Sequence, residues 1–289
     1  MSRRKKSGNR FLLAVALLAL FFAGGFITAM LAVKNSPKPT PARHADKREV
    51  ASLPPVANLQ DAPPPSVQPR YRVAIIIDDI GLRNEPVEKL LSLGIPITFA
   101  IMPGQRHTKE LAEKIRNAGY EVLLHMPMEP EDYKNNNPGE EALLVSQTDE
   151  EIRAMMRRTL AEVPQAIGVN NHMGSLFTRD GHKMRVVMEE IKSAGLFFVD
   201  SLTTPKSVGL PLARKMGIKS AARRLFLDND ENPESVENAL RNSIRLAKVN
   251  GDVIAIGHPH AVTVEAITAL KDAFAKEGVD LVAVSGMVR

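Results

Sequence analysis

A repeated pairing constrains this chain more than any other feature: short apolar runs, each followed by a polar side chain capable of chemistry. Residues 73–77 run into Asp78 and Asp79, 121–124 into His125, 167–169 into Asn170-Asn171-His172, 196–199 into Asp200, and 253–256 into Gly257-His258. Residues 97–101 and 281–284 are further apolar runs, without such an ending at 97–101. Runs this short and this rich in β-branched residues read as buried strands. Between them lie stripes of helical period. One is Ile152, Met155, Met156 and Leu160 behind a capping box at 148–151; another is Met184, Val187, Met188 and Ile191; a third is Val236, Leu240, Ile244 and Ala247. Strands alternating with helices predict an α/β fold with a parallel sheet of right-handed βαβ units. About seven units suggest a small or incomplete (β/α) barrel, with an open doubly wound sheet as the alternative.

The 289 residues divide unevenly. Residues 1–10 carry Arg3, Arg4, Lys5, Lys6 and Arg10, and residues 11–33 carry no charged side chain. An apolar stretch of ~20 residues crosses the hydrocarbon core, and basic residues before it stay cytoplasmic. The expectation is a cytoplasmic tail (1–10) and a transmembrane signal anchor (11–33), single-pass in the inner (cytoplasmic) membrane, with the rest periplasmic or extracellular. A cleaved signal peptide is the rival, although its apolar core is typically ~7–15 residues. Residues 34–70 hold nine prolines and no aromatic side chain, which reads as a disordered, extended linker. Residues 71–289 remain as the folded domain.

The net charge of +5 belongs to the N-terminal part: residues 1–70 hold 11 Lys/Arg and 3 Asp/Glu, leaving 27 against 30 for residues 71–289. A nucleic-acid partner needs its basic footprint on the folded domain, so none is expected. The chain has no cysteine, which excludes disulfides, thiolate nucleophiles and Cys-based zinc sites. The sequence leaves the oligomeric state open.

In parallel α/β folds the carboxyl ends of the strands share one face, where active sites assemble. Asp78, Asp79, His125, His172, Asp200 and His258 are therefore expected to converge. Each has an ordinary reading by itself. Asp78-Asp79 reads as a strand-to-helix turn, His125 as a hydrogen-bonded structural imidazole, Asp200 as a turn cap, and His258 or His260 as a surface residue. The run Asn170-Asn171-His172 is costly to bury without partners. Jointly the set points to a metal site.

The same residues resemble a known family. Residues 75–81, with Asp78-Asp79 closing the first strand, resemble the first motif of the polysaccharide deacetylases. Residues 123–129, around His125, sit where that superfamily carries its metal-histidine motif. Asn171-His172-Met173-Gly174-Ser175, Phe198-Val199-Asp200-Ser201 and Ile256-Gly257-His258-Pro259 complete the pattern of its divergent branch, across about residues 71–289. The resemblance implies a distorted (β/α) barrel and a divalent metal, most often Zn2+. It also implies Asp78 as general base, Asp79 and His125 as metal ligands, and His258 as the acid protonating the leaving amine. The chain departs from the family in two places. Ordinary members supply two histidines four residues apart, and here the fourth residue after His125 is Glu129; the tryptophan often found near the fourth motif is missing. The third ligand is then Glu129 or His172. His172 is favoured because imidazole suits zinc, and two histidines with one carboxylate form an open catalytic set.

The expected activity is metal-dependent removal of N-acetyl groups from an envelope or secreted polysaccharide. Asp200 is expected to orient His258 or to bind a substrate hydroxyl. Two alternatives stand beside this reading. One is an inactive glycan-binding or envelope scaffold protein of the same fold. The other is a magnesium phosphoesterase using the carboxylate pair, for which few carboxylates are visible.

Overall fold

A strand whose apolar run is unbroken has no face to give to water and must be covered on both sides. The computed structural model, which describes residues 71–289, meets that demand with a curled parallel sheet, helices outside it and side chains packed within. The tail, the anchor at 11–33 and the linker at 34–70 lie outside the described residues. In chain order the elements are β1 (Tyr71–Ile80), α1 (Glu85–Ser92), β2 (Ile97–Ile101), α2 (Thr108–Asn117), β3 (Glu121–Met128) and α3 (Asp149–Glu162). Then come β4 (Gly168–Met173), α4 (Gly181–Ser193), β5 (Phe197–Asp200), α5 (Gly209–Lys215), β6 (Ser220–Ala222) and β7 (Leu225–Phe226). The last elements are α6 (Pro233–Asn250), β8 (Asp252–Gly257), α7 (Ala261–Lys276) and β9 (Val279–Leu281). The capping box expected at Thr148 is formed, with Glu151 as its partner. Among the described residues no helix is long and apolar enough to cross a membrane.

Every ladder is parallel, in the order β6-β5-β4-β3-β2-β1-β8-β7, with β9 beside the start of β1. Read round a ring, this is chain order. A doubly wound sheet reverses direction at a switch point; none occurs here, so the barrel expectation holds and the alternative falls. The ring is not closed by a ladder. β6 pairs with β5, β7 pairs with β8, and only Arg223 and Arg224 separate β6 from β7. Two residues reach only ~7 Å, so one short stretch joins the two ends of the sheet. Arg223 N–H donates to Asp200 O, and Arg224 N–H to Ile254 O. β6 and β7 were too short for periodicity to reveal. The last strand lies at Val279–Leu281 rather than 281–284, because Val284 opens a 3-10 turn.

The sheet separates two cores. Val73, Ile75 and Ile77 face the outer core under the helices, whereas Ala74 and Ile76 join Ala100, Leu123, Val199, Ile254 and Ile256 inside the barrel. This period of two decides which strand-end side chains reach the barrel's mouth.

Candidate metal centre

Continuing each alternation to the carboxyl end of its strand puts Asp78 in step with Ala74 and Ile76, His125 with Leu123, and His258 with Ile254 and Ile256, all on the inner side. In β4, Val169 faces outward, so Asn170 and His172 face inward. Asp79 would fall on the helix side. A bulge between Ile77 and Ile80 and a φ of 57° at Asp79 turn it back toward the mouth. Bulges re-aim side chains in this way, and a positive φ at a non-glycine residue costs of order ~1–3 kcal/mol. By this device two consecutive carboxylates serve one site.

Asp79 Oδ1 lies 3.1 Å from His125 Nε2 and 2.8 Å from His172 Nδ1. The candidate ligand atoms of the three residues all lie within 4.8 Å of one another. Asp79 Oδ1 is nonetheless buried and makes no hydrogen bond. Both imidazole nitrogens are near, but neither is aligned to donate. Such an orphaned oxygen beside two ring nitrogens fits a cation, and two imidazoles with one carboxylate fit zinc. Burial works against a charged Asp79, but His125 and His172 outweigh it and hold its carboxyl well below the usual carboxylate range.

A buried relay stands behind His125. Asn170, fully buried, donates from Nδ2 to Asp78 Oδ1 at 2.8 Å, and its Oδ1 lies 2.8 Å from His125 Nδ1. An ionised carboxylate only accepts, so Asp78 fixes which way the amide points. The amide oxygen then accepts the Nδ1 proton of His125, a tautomer inferred from this network. Nε2 is left with its lone pair toward Asp79. Asp78 Oδ2 lies 3.5 Å from that same Nε2. Burial raises the Asp78 carboxyl above its ordinary value, with His125 and His258 offsetting only part of the shift.

On the facing strand, His258 Nδ1 lies 2.9 Å from Asp228 Oδ1, and the His258 N–H donates to Asp228 Oδ2 at 2.6 Å. Thr263 Oγ1 donates to the same Oδ2 at 2.7 Å. His258 Nε2 points back toward Asp79 Oδ2, 3.9 Å away. Burial disfavours the charged ring, but the Asp228 hydrogen bond and the charges of Asp78, Asp79 and Asp228 prevail, raising His258 to about 9.

One expectation is corrected, and the less favoured choice of third ligand is set aside. Asp200 does not orient His258. It is in step with Phe198 in the outer core, is fully buried, and accepts hydrogen bonds from Leu202 N, Ser207 Oγ and Leu210 N. Its carboxylate is spent on the loop after β5, and Asp228 takes the place beside His258. Glu129 also turns away, its Oε2 accepting from Val145 N at 2.7 Å. His172, not Glu129, is the third member of the cluster. Asp228, His258 and His260 also lie close enough to share an ion, but the oxygens of Asp228 are already taken by three donors.

Sequence reasoning missed Asp228, although Leu225-Phe226-Leu227-Asp228 repeats the signature of an apolar run closed by an acid. It also missed Arg223, whose guanidinium lies 3.7 Å from the centre of the Phe226 ring and donates to the carbonyls of Ser201 and Leu202.

A family model described as divergent polysaccharide deacetylase matches residues 75–288. The chain is 36% identical over 197 residues to YibQ, an uncharacterized protein of Escherichia coli K12, covering 68% of this chain and 61% of that one. It therefore spans less than two thirds of that relative's length. It is 32% identical over 198 residues to an uncharacterized protein of Haemophilus influenzae Rd, covering 68% of this chain and 70% of that one. Among solved structures, an uncharacterized protein of Agrobacterium tumefaciens C58 superposes with a TM-score of 0.72 at 26% identity, covering 79% of this chain and 94% of that one.

Proposed function

The chain belongs to the divergent polysaccharide deacetylase family, and from that premise we propose that it removes N-acetyl groups from a polysaccharide by metal-assisted hydrolysis. The observation that carries this reading is the meeting of Asp79, His125 and His172 around a buried carboxylate oxygen with no hydrogen bond. These three residues would hold the ion. Zinc bound there supplies Lewis acidity and lowers the pKa of a bound water toward ~7.

The chain's own residues supply the proton transfers. Asp78, with its raised carboxyl, accepts the proton of the attacking water. A C–O bond forms at the acetyl carbon, and the C–N bond breaks as His258 donates its proton to the departing nitrogen, leaving acetate and a free amine. Asp228 orients His258 and keeps it protonated for that step. Asn170 holds Asp78 and His125 in register. Residues 11–33 support an envelope or secreted glycan as substrate, because a signal anchor there sends the domain outward.

The test uses the full chain. Chelation should abolish acetate release from N-acetylated sugar oligomers, and zinc should restore it. Full activity in a folded Asp79→Ala, His125→Ala double variant would reject the proposal.

A further inference from the structure

A second concavity lies at the opposite end of the barrel. It has a volume of about 480 Å3, and its wall includes Arg72, Arg214, Ser220, Arg224, Asp252 and Arg289. Arg72, Ser220 and Asp252 sit at the starts of β1, β6 and β8, whereas Asp79 and His258 sit at or beyond the carboxyl ends of β1 and β8. Arg72 and Asp79 are seven positions apart along β1, roughly 23 Å of extended strand. No part of the metal cluster borders this cavity.

Its charge runs against that of the domain. Residues 71–289 carry fewer basic than acidic side chains, yet four guanidinium groups here face one carboxylate. That carboxylate is committed. Asp252 accepts from Arg72 Nε and Nη2, both at 2.8 Å, and from Arg289 Nη2 at 2.7 Å. Arg72 spends Nη1 on Gly286 O at 3.0 Å. Arg214 and Arg224 are exposed and have no side-chain partner among the described residues. An independent sign comes from Ser220, which is 1% exposed and whose hydroxyl oxygen has no hydrogen-bond partner. Native structures rarely leave such a group unanswered.

We propose that this cavity binds a phosphate-bearing anion, recognised chiefly by Arg214 and Arg224, with Arg72 and Arg289 adding to the positive field. Planar guanidinium forks match phosphate oxygens in pairs, which a lysine ammonium does not. The cavity has room for a phosphomonoester or for one phospholipid headgroup, and the two sources share this chemistry. The site is remote from the metal cluster and does not depend on the deacetylase reading.

The test is calorimetric titration of the metal-free full chain with inorganic phosphate and, separately, with short-chain phosphatidylglycerol. Saturable binding is expected, weakening as salt rises and at least tenfold weaker in an Arg214→Ala, Arg224→Ala double variant. Both arginines are exposed, so the variant should fold. Binding of free phosphate would assign a soluble ligand; binding of the lipid alone would assign a headgroup. The proposal is overturned if neither probe saturates, or if binding is unchanged in the double variant. It is equally overturned if binding disappears only when His125 and His172 are replaced.

Discussion

Replacing Asn170 with leucine keeps the buried volume but removes both arms of the relay between Asp78 and His125. Each arm is a 2.8 Å hydrogen bond in a fully enclosed position. The His125 Nδ1 proton loses its acceptor, so the ring no longer has one preferred orientation and tautomer. Loss of such a partner behind a metal-binding histidine typically weakens metal affinity by ~10–100-fold, or about 1.4–2.7 kcal/mol. A second cost falls on the fold itself. Asp78, only 2% exposed, keeps its carboxylate but loses its amide donor, a penalty of ~1–3 kcal/mol. Zinc affinity is measured by competition against a chromophoric chelator, stability by urea unfolding, and folding of the variant by circular dichroism. Nitrogen-15 NMR of the zinc-loaded parent should find the Nδ1 of His125 protonated. The reasoning is refuted if the folded variant binds zinc within about twofold of the parent, well short of the range for a lost partner.

Asp228→Asn should move the His258 titration, followed by NMR in the metal-free chain, from about 9 toward the ordinary imidazole value. Because the folded value lies above the unfolded one of ~6.5, His258 adds stability that is complete below that pH and is lost as pH rises toward 9. Urea midpoints across this window should flatten in the variant. Glu129→Gln should leave zinc affinity unchanged, whereas His172→Ala should lower it by more than the roughly 100-fold seen when only an outer partner is lost; equal effects would contradict the cluster described here. Thr148→Ala should destabilise the chain by about 1 kcal/mol through loss of the α3 cap, with no change in zinc affinity.

The barrel was legible because apolar runs alternated with helical stripes, and several runs were followed by a polar residue that lies at the carboxyl side of the sheet. His125 and His172 lie inside longer strands than the runs suggested, since β3 reaches Met128 and β4 reaches Met173. Counting outward by twos would have removed Asp200 from the candidate site, because Phe198 and Asp200 share the face that packs against helices. The same count misplaces Asp79, which a bulge and a left-handed backbone bring to the mouth. Those two features leave no periodic trace in the sequence. Asp228 was hidden for a different reason: β7 has only two residues, too few to show any period. Asn170 read as one polar residue in a costly run. Its role emerged only from partners 92 and 45 residues away.

The stretch from Ser220 to Phe226 has a mechanical consequence. The β1–β2, β2–β3, β3–β4 and β1–β8 ladders run over four to six paired positions, but between β5 and β8 the join is three paired positions on one side and two on the other. Breathing of the wall should concentrate where the fewest bonds resist it. Arg223 acts as the clasp there, gripping the Ser201 and Leu202 carbonyls with its guanidinium while its backbone N–H holds Asp200. His258 and Asp228 flank this weak join. The imidazolium's side of the mouth is therefore the one that yields first, while β3 and β4, paired over six positions, hold His125 and His172 in place.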